Sequence, residues 1–333
     1  MNCMLRWNQI KKKRGSFLRE KLFWFGMIIV VISWVGNYLY FQSKQLEQPI
    51  FLDHYYETYL QEDNYLTFYY LTNKQDPTQI NYALIDGLEA YPVSNDGMWQ
   101  WQSNTPKFEQ EFSHQYLKSV RLQLPKYDVP IEEGSDDVWS FEEITFAFSD
   151  GEMVTTDIGN VNVYGRLPNS DVFESRVSSS NNQHRSDNSM VAVKPATVEA
   201  ITIPFSEEIS QDVLVKVNTD QEKLKELEAM NQGGNPPDWF EGERDIDWEN
   251  VSGVSIDEDI FPFELKKDDW LTLSMKFNPN RKSYFEFGIE INGKTAEGEP
   301  FMRKASIIDH PYLTQQAVNE IITEKVGGAR NDE

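Results

Sequence analysis

Residues 271–291 read LTLSMKFNPNRKSYFEFGIEI. Leu271, Leu273, Met275 and Phe277 alternate with Thr272, Ser274 and Lys276. After a short polar break, Phe285, Phe287, Ile289 and Ile291 alternate with Glu286, Gly288 and Glu290. A period of two places the apolar side chains on one face of a strand and the polar ones on the other. Asn292-Gly293 follows as a hairpin-turn dipeptide. Strands with one apolar and one wet face belong to antiparallel sheets.

The same pattern extends through the chain. Upstream, Val213, Val215 and Val217 form one alternating run, and Ile201, Ile203 and Phe205 another. Ile144, Phe146 and Phe148 lead through Asp150-Gly151 to Val154, Thr156 and Ile158, which predicts a type I′ hairpin over 143–164. Val120, Leu122 and Leu124, then Ile80, Tyr82 and Leu84, then Leu66, Phe68 and Tyr70 read as further strands. Residues 50–60, IFLDHYYETYL, are assigned to a strand because Tyr and Phe dominate them. Downstream, Leu313, Ala317 and Ile321 recur at helical spacing beside Val318 and Ile322. Asp309 is the expected cap, Pro311 suits the first turn and Gly327-Gly328 the stop.

One stretch is of a different kind. Leu22–Phe41, LFWFGMIIVVISWVGNYLYF, has 20 residues without Asp, Glu, Lys, Arg or His. As a helix it spans about 30 Å, the thickness of a bilayer's hydrocarbon core. Trp24, Trp34, Tyr38 and Tyr40 stand near its ends, where amphipathic rings favour the interface. Seven basic residues and one acid precede it, a bias that keeps the N-terminus in the cytoplasm and exports the rest. The run is longer than a signal peptide's apolar region, and residues 36–48 hold no A-x-A-like cleavage site, so retention as an anchor is expected.

The expected fold is therefore mainly β: a single N-terminal transmembrane helix, one or two antiparallel β-sandwich-like domains, and a C-terminal α-helix. The expected divisions are a basic tail at 1–21, the span at 22–41, and a polar stalk at 42–49. A first β-rich domain follows at 48–174 and a second at 191–310, with the terminal helix and tail at 311–333. Between the two domains, SRVSSSNNQHRSDNSM (175–190) has almost no apolar content and reads as a flexible linker or loop.

Removing residues 1–41 takes 7 basic and 1 acidic residue from totals of 31 and 54, leaving 24 against 53, a net of −29. Such a surface repels nucleic acid and steers cationic partners. The chain's one cysteine, Cys3, precedes the apolar run, so no disulfide holds the exported part. Four scattered histidines form no H-E-x-x-H, and there is no G-x-S-x-G, P-loop or G-x-G-x-x-G. Catalytic residues and a cofactor are accordingly not expected. Asp245, Asp247 and Glu249 alternate in an acidic loop, and in an extended segment their carboxylates would share a side suited to a divalent cation such as Ca²⁺. Trp239 and Trp248 lie in the same acidic stretch; with Trp99 and Trp101 they are candidates for stacking on sugar rings. The functional expectation is a non-enzymatic interaction module that meets lipid through 22–41 and binds a protein partner at the envelope. A surface-polymer or carbohydrate-binding module, and an envelope hydrolase, are the alternatives.

Overall fold

The computed structural model describes residues 2–60, 65–93, 108–125, 128–168, 170–181, 183–222, 224, 226 and 247–329. A helix runs from Asn2 to Gln42. Within it Lys21–Gln42 is long and apolar enough to cross a membrane, and its most apolar stretch is not buried by the other described residues. Among the described residues nine strands follow: β1 Ile50–Phe51, β2 His54–Tyr59, β3 Tyr65–Asn73, β4 Ile80–Ile85, β5 Leu88–Pro92, β6 Gln110–Glu111, β7 Gln115–Gln123, β8 Val138–Phe148 and β9 Met153–Tyr164. The second half contributes β10 Phe173–Asn181, β11 Arg185–Ala192, β12 Ala196–Thr202, β13 Val213–Asn218, β14 Val254–Ser255, β15 Phe263–Leu265, β16 Trp270–Phe277, β17 Tyr284–Thr295 and β18 Pro300–Asp309. A helix at Gln315–Ala329 closes the described chain. The architecture is mainly β with sandwich-like sheets, an N-terminal apolar helix and a C-terminal helix.

One long sheet runs β1-β3-β7-β5-β4-β8-β9-β2-β17-β12-β15, with β18 beside β17 and β6 beside β7. β5 pairs with β4 through Leu88–Ala90 and with β7 through Tyr91 and Pro92, which turns the sheet back on itself. Phe51 then stacks on Phe146 with ring centres 3.8 Å apart, inside a first core that also holds Phe68, Leu122 and Val161. In the second half, a five-stranded sheet β10-β11-β16-β13-β14 faces β12, β17 and β18. Met275, Phe277, Phe285, Ile289 and Ile307 fill the core between them.

β2 joins the two halves. It runs parallel to β9 over residues 54–59 and parallel to β17 over residues 54–56. Alternation within one strand signals a half-buried face but carries no partner direction, so these parallel pairings depart from the purely antiparallel expectation. His54 sits in this seam, fully buried. The Tyr69 N–H donates to its Nε2 at 2.9 Å, which leaves the proton on Nδ1, 3.3 Å from the Ile158 carbonyl. Tyr284 stacks beside it. Gly159 lies opposite with φ +86°, and a Cβ there would meet the His54 carbonyl oxygen at 2.5 Å.

Several local readings change. The stretch 175–190 is most of a hairpin: β10 and β11 pair from Phe173↔Ala192 to Asn181↔Arg185. Its polarity fits because β10 is the outermost strand of its sheet, and because β11 meets β16 through hydroxyl contacts, Ser189 to Thr272 at 2.7 Å. Asn292-Gly293 is inside β17, not a turn. A Cβ on Gly293 would stand 2.1 Å from the Thr197 carbonyl oxygen, so the glycine serves close strand approach. At Asp150-Gly151 the turn bonds Gly151 N–H to the Phe148 carbonyl, and only Gly151 has positive φ. A type I′ turn would need it at both central residues. In β4 a register shift after Ile80 moves the buried set to Ala83 and Ile85 in place of Tyr82 and Leu84.

The C-terminal helix packs on the first core through Val318 and Ile321, with Leu313 just before it, rather than on the second core that β17 and β18 help to form. Thr314 Oγ accepts the Ala317 N–H, so Thr314 caps the helix. Asp309 is instead held in β18 by Arg281 and His184, and the helix continues through Gly327-Gly328. The segment 42–49 is docked rather than a free stalk. Leu46 is buried, and Asn73 bonds both its N–H and its carbonyl at 2.9 Å.

Burial drives the His54 pKa down to about 3, with Lys325 adding to the effect against the Ile158 carbonyl. The folded protein keeps His54 neutral where the unfolded chain takes a proton, so stability is full above pH 6.5 and is lost as pH falls towards 3. The expected slope is up to about 1.4 kcal/mol per pH unit. His310, also lowered by burial, adds in the same sense. Urea midpoints of the detergent-solubilised chain at pH 7.5 and 5.5 check this. His54→Gln should lower stability at pH 7.5 yet shrink the difference between the two pH values.

Candidate functional site

On one edge β17 has two successive partners. β2 covers Tyr284–Glu286, and β12 covers 290–295. Gly288 falls in the gap, and its N–H meets the Glu57 carboxylate at 2.9 Å. Glu57 lies at the point where β2 leaves β17, and its side chain is 1% exposed. Tyr164 of β9 donates to the same carboxylate at 2.7 Å, and Lys304 of β18 closes an ion pair with it at 2.7 Å. Lys304 also reaches Glu290 at 3.1 Å and lies over the Tyr164 ring. Gly288 has no side chain to spare, since a Cβ would be 2.7 Å from Lys304 Cβ. Burial first, and then Glu57, hold the Tyr164 hydroxyl protonated far above the usual tyrosine range, so it remains a donor.

A cleft of about 440 Å³ opens above this joint. Tyr164 and Lys304 form its floor. Leu167, Pro168, Pro300, Phe301 and Met302 supply an apolar wall, with Met302 and Leu167 each about 40% exposed. Across from them the loop Ser135–Val138 brings Asp136 and Asp137. Asp136 is paired with Arg166 at 2.5 Å. The Asp137 backbone is fixed by Ser135 Oγ and by the Gly165 N–H, while among the described residues its carboxylate has no partner. The cleft thus offers an apolar wall and one free negative charge, over a floor whose own charges are neutralised. That combination suits a short segment with an apolar and a basic side chain.

Sequence reasoning did not select Glu57 or Lys304. The available signal was an isolated acid in the aromatic run HYYETY. Of the residues it did select, Trp99, Trp101, Trp239 and Asp245 lie outside the described residues. Asp247 and Glu249 are exposed. Trp248–Asn250 forms a 3-10 turn, so the extended geometry expected to align the two carboxylates is not present. The backbone carbonyls of Trp248 and Val251 instead receive the Lys216 ammonium at 2.8 and 3.0 Å. The same ammonium stands 5.1 Å from the centre of the half-buried Trp248 ring. Among the described residues no group of three or more His, Cys, Asp or Glu is placed to hold a metal ion. The C-terminal helix commits Val318 and Ile321 to the first core, and Leu313 just before it does the same.

No family model and no curated relative matches the chain. Among solved structures it is similar to the fibronectin(III)-like modules of Clostridium thermocellum CbhA, at 8% identity over 80% of this chain and all of the other, with a TM-score of 0.20. It is also similar to the collagen binding domain of the Erysipelothrix rhusiopathiae surface protein RspB, at 9% identity over 78% of this chain and 92% of the other, with a TM-score of 0.23. Scores this low assign neither a family nor a function.

A double-mutant cycle tests the joint. Lys304→Met alone strands a buried carboxylate and should cost about 3–5 kcal/mol. Glu57→Gln/Lys304→Met keeps an acceptor for Gly288 and removes both charges, so it should cost clearly less than the two single changes added together. Denaturant unfolding of the four proteins checks this.

Proposed function

We propose that this protein is a membrane-anchored, non-enzymatic interaction module that binds a protein partner in the cell envelope. The observation that carries the reading is the cleft between the two halves, with its apolar wall and the unpaired Asp137 carboxylate at its mouth. Partner binding there would use a basic side chain against Asp137 and an apolar one against Met302 and Leu167. The net charge of −29 outside the N-terminal helix would steer a cationic partner towards it. The non-enzymatic part of the reading is supported by the joint beneath the cleft, of which Lys304 reaches the floor. Glu57 and Lys304 are each held by several short hydrogen bonds, an arrangement that fixes strands rather than exchanging protons with a bound molecule. The anchor is supported by the apolar Lys21–Gln42 helix, and its orientation by the seven basic residues within 1–21.

Two measurements test this. Protease added to intact cells or protoplasts should digest the C-terminal portion; full protection would reverse the topology. A photo-crosslinking residue at Met302 of the full-length chain, irradiated in cells, should capture a defined protein, and Asp137→Lys should reduce that capture several-fold. The control position is Leu214, which is exposed on β13. Equal capture at both positions, or turnover of a wall polymer that falls with Asp137→Asn, would replace the reading.

A further inference from the structure

The join between the N-terminal helix and the β region is a chain of direct contacts. At the helix end, Ser43 Oγ and the Lys44 N–H bond the Tyr40 and Phe41 carbonyls. The Lys44 carbonyl accepts from Gln115 Nε2 at 2.7 Å, next to the buried, doubly bonded Leu46. His114 lies edge-on to both Tyr40 and Phe41, with ring centres 6.1 Å away in each case. Immediately before it, the Ser113 N–H bonds Gln315 at 2.8 Å, and Gln110 accepts the Leu313 N–H at 3.2 Å. Between His310 and Leu313 the chain places Tyr312.

Tyr312 is 78% exposed, the highest value for any large hydrophobic side chain among the described residues. It exceeds even Trp34 in the uncovered helix, at 72%. Its neighbours Pro311 and Leu313 are buried, which fixes Tyr312 pointing outward. An exposed tyrosine is ordinary by itself. This one is held rigidly by two buried neighbours, and it is linked by successive hydrogen bonds and ring contacts to the place where an apolar helix ends.

We propose that Tyr312 is a second, non-helical membrane contact: the β region rests on the bilayer with the Tyr312 ring at the headgroup level. The proposal rests on the anchor reading given above. Continuity with the apolar helix selects lipid as the occupant, and a tyrosine ring presents an apolar body with a polar tip, which suits the interface. The contact is uncharged, which matters because an acidic region is repelled by anionic headgroups.

The single native cysteine makes the test direct. Full-length protein carrying Cys3→Ser is labelled with a nitrobenzoxadiazole dye at Tyr312→Cys, at Ile29→Cys within the helix, or at Ser178→Cys, an exposed position of β10. Each is reconstituted into phosphatidylcholine vesicles with and without lipid bearing a nitroxide near the headgroup end of the acyl chain. The expected result is quenching at position 312 several-fold above that at 178, together with strong quenching at 29. Quenching at 29 with 312 equal to 178 overturns the Tyr312 contact and leaves the anchor standing. No quenching at 29 overturns the anchor and the contact together.

Discussion

The Gly288 N–H has to be satisfied, and among the described residues no strand is there to do it. β17 is paired along one side by β18, but its other side is shared between β2 and β12, which belong to different halves of the molecule. A buried amide without a partner costs about 1–3 kcal/mol. Glu57 fills the gap with a side-chain carboxylate, and the remaining choices follow from that one. A carboxylate out of water needs a counter-charge, which Lys304 supplies, and a further donor, which Tyr164 supplies. The lysine stem needs room, so residue 288 has no side chain. Four strands are tied at one carboxylate.

The same seam explains the aromatic content. Tyr69 and Tyr284 stack with ring centres 3.9 Å apart, and His54 and His310 lie against them. The rings fill the space where β2 passes from one core to the other. A neutral imidazole suits that position because it can accept the Tyr69 N–H and donate to the Ile158 carbonyl without bringing a charge into the core. The C-terminal helix then covers the first core and is fastened by Lys325 to Asp53 and by Lys282 to Glu320 and Glu324.

Strand existence was largely legible, because alternation in β3, β7, β8, β9, β13 and β17 reports directly which face is dry; β16 alternates too, but its Thr272 and Ser274 are also buried, against β11. What alternation cannot report is a phase change inside a strand, as in β4, or a strand whose outward face is polar and whose inner contacts are hydroxyl pairs, as in β10 and β11. Glycine was the least reliable punctuation. Gly151 marks a turn, but Gly293 marks a close approach of β12, and the two look alike in sequence. The cleft was not legible at all. Its walls come from residues about 160 positions apart, and Asp137 stays unpaired because Arg166 claims Asp136 but not its neighbour.

β2 is synthesised early, yet both its neighbours come late: residues 159–164 on one side and 284–286 on the other. The first core also waits for Leu313, Val318 and Ile321. The first core therefore cannot close until the chain is nearly complete, and one edge of β2 is held open for more than two hundred residues. Closure of such distant pairs is slow, and the waiting edges are prone to wrong pairing. A chain of this design gains from having its early strands restrained at a fixed place while the rest arrives. The docking of Leu46 directly behind the N-terminal helix supplies such a fixed place.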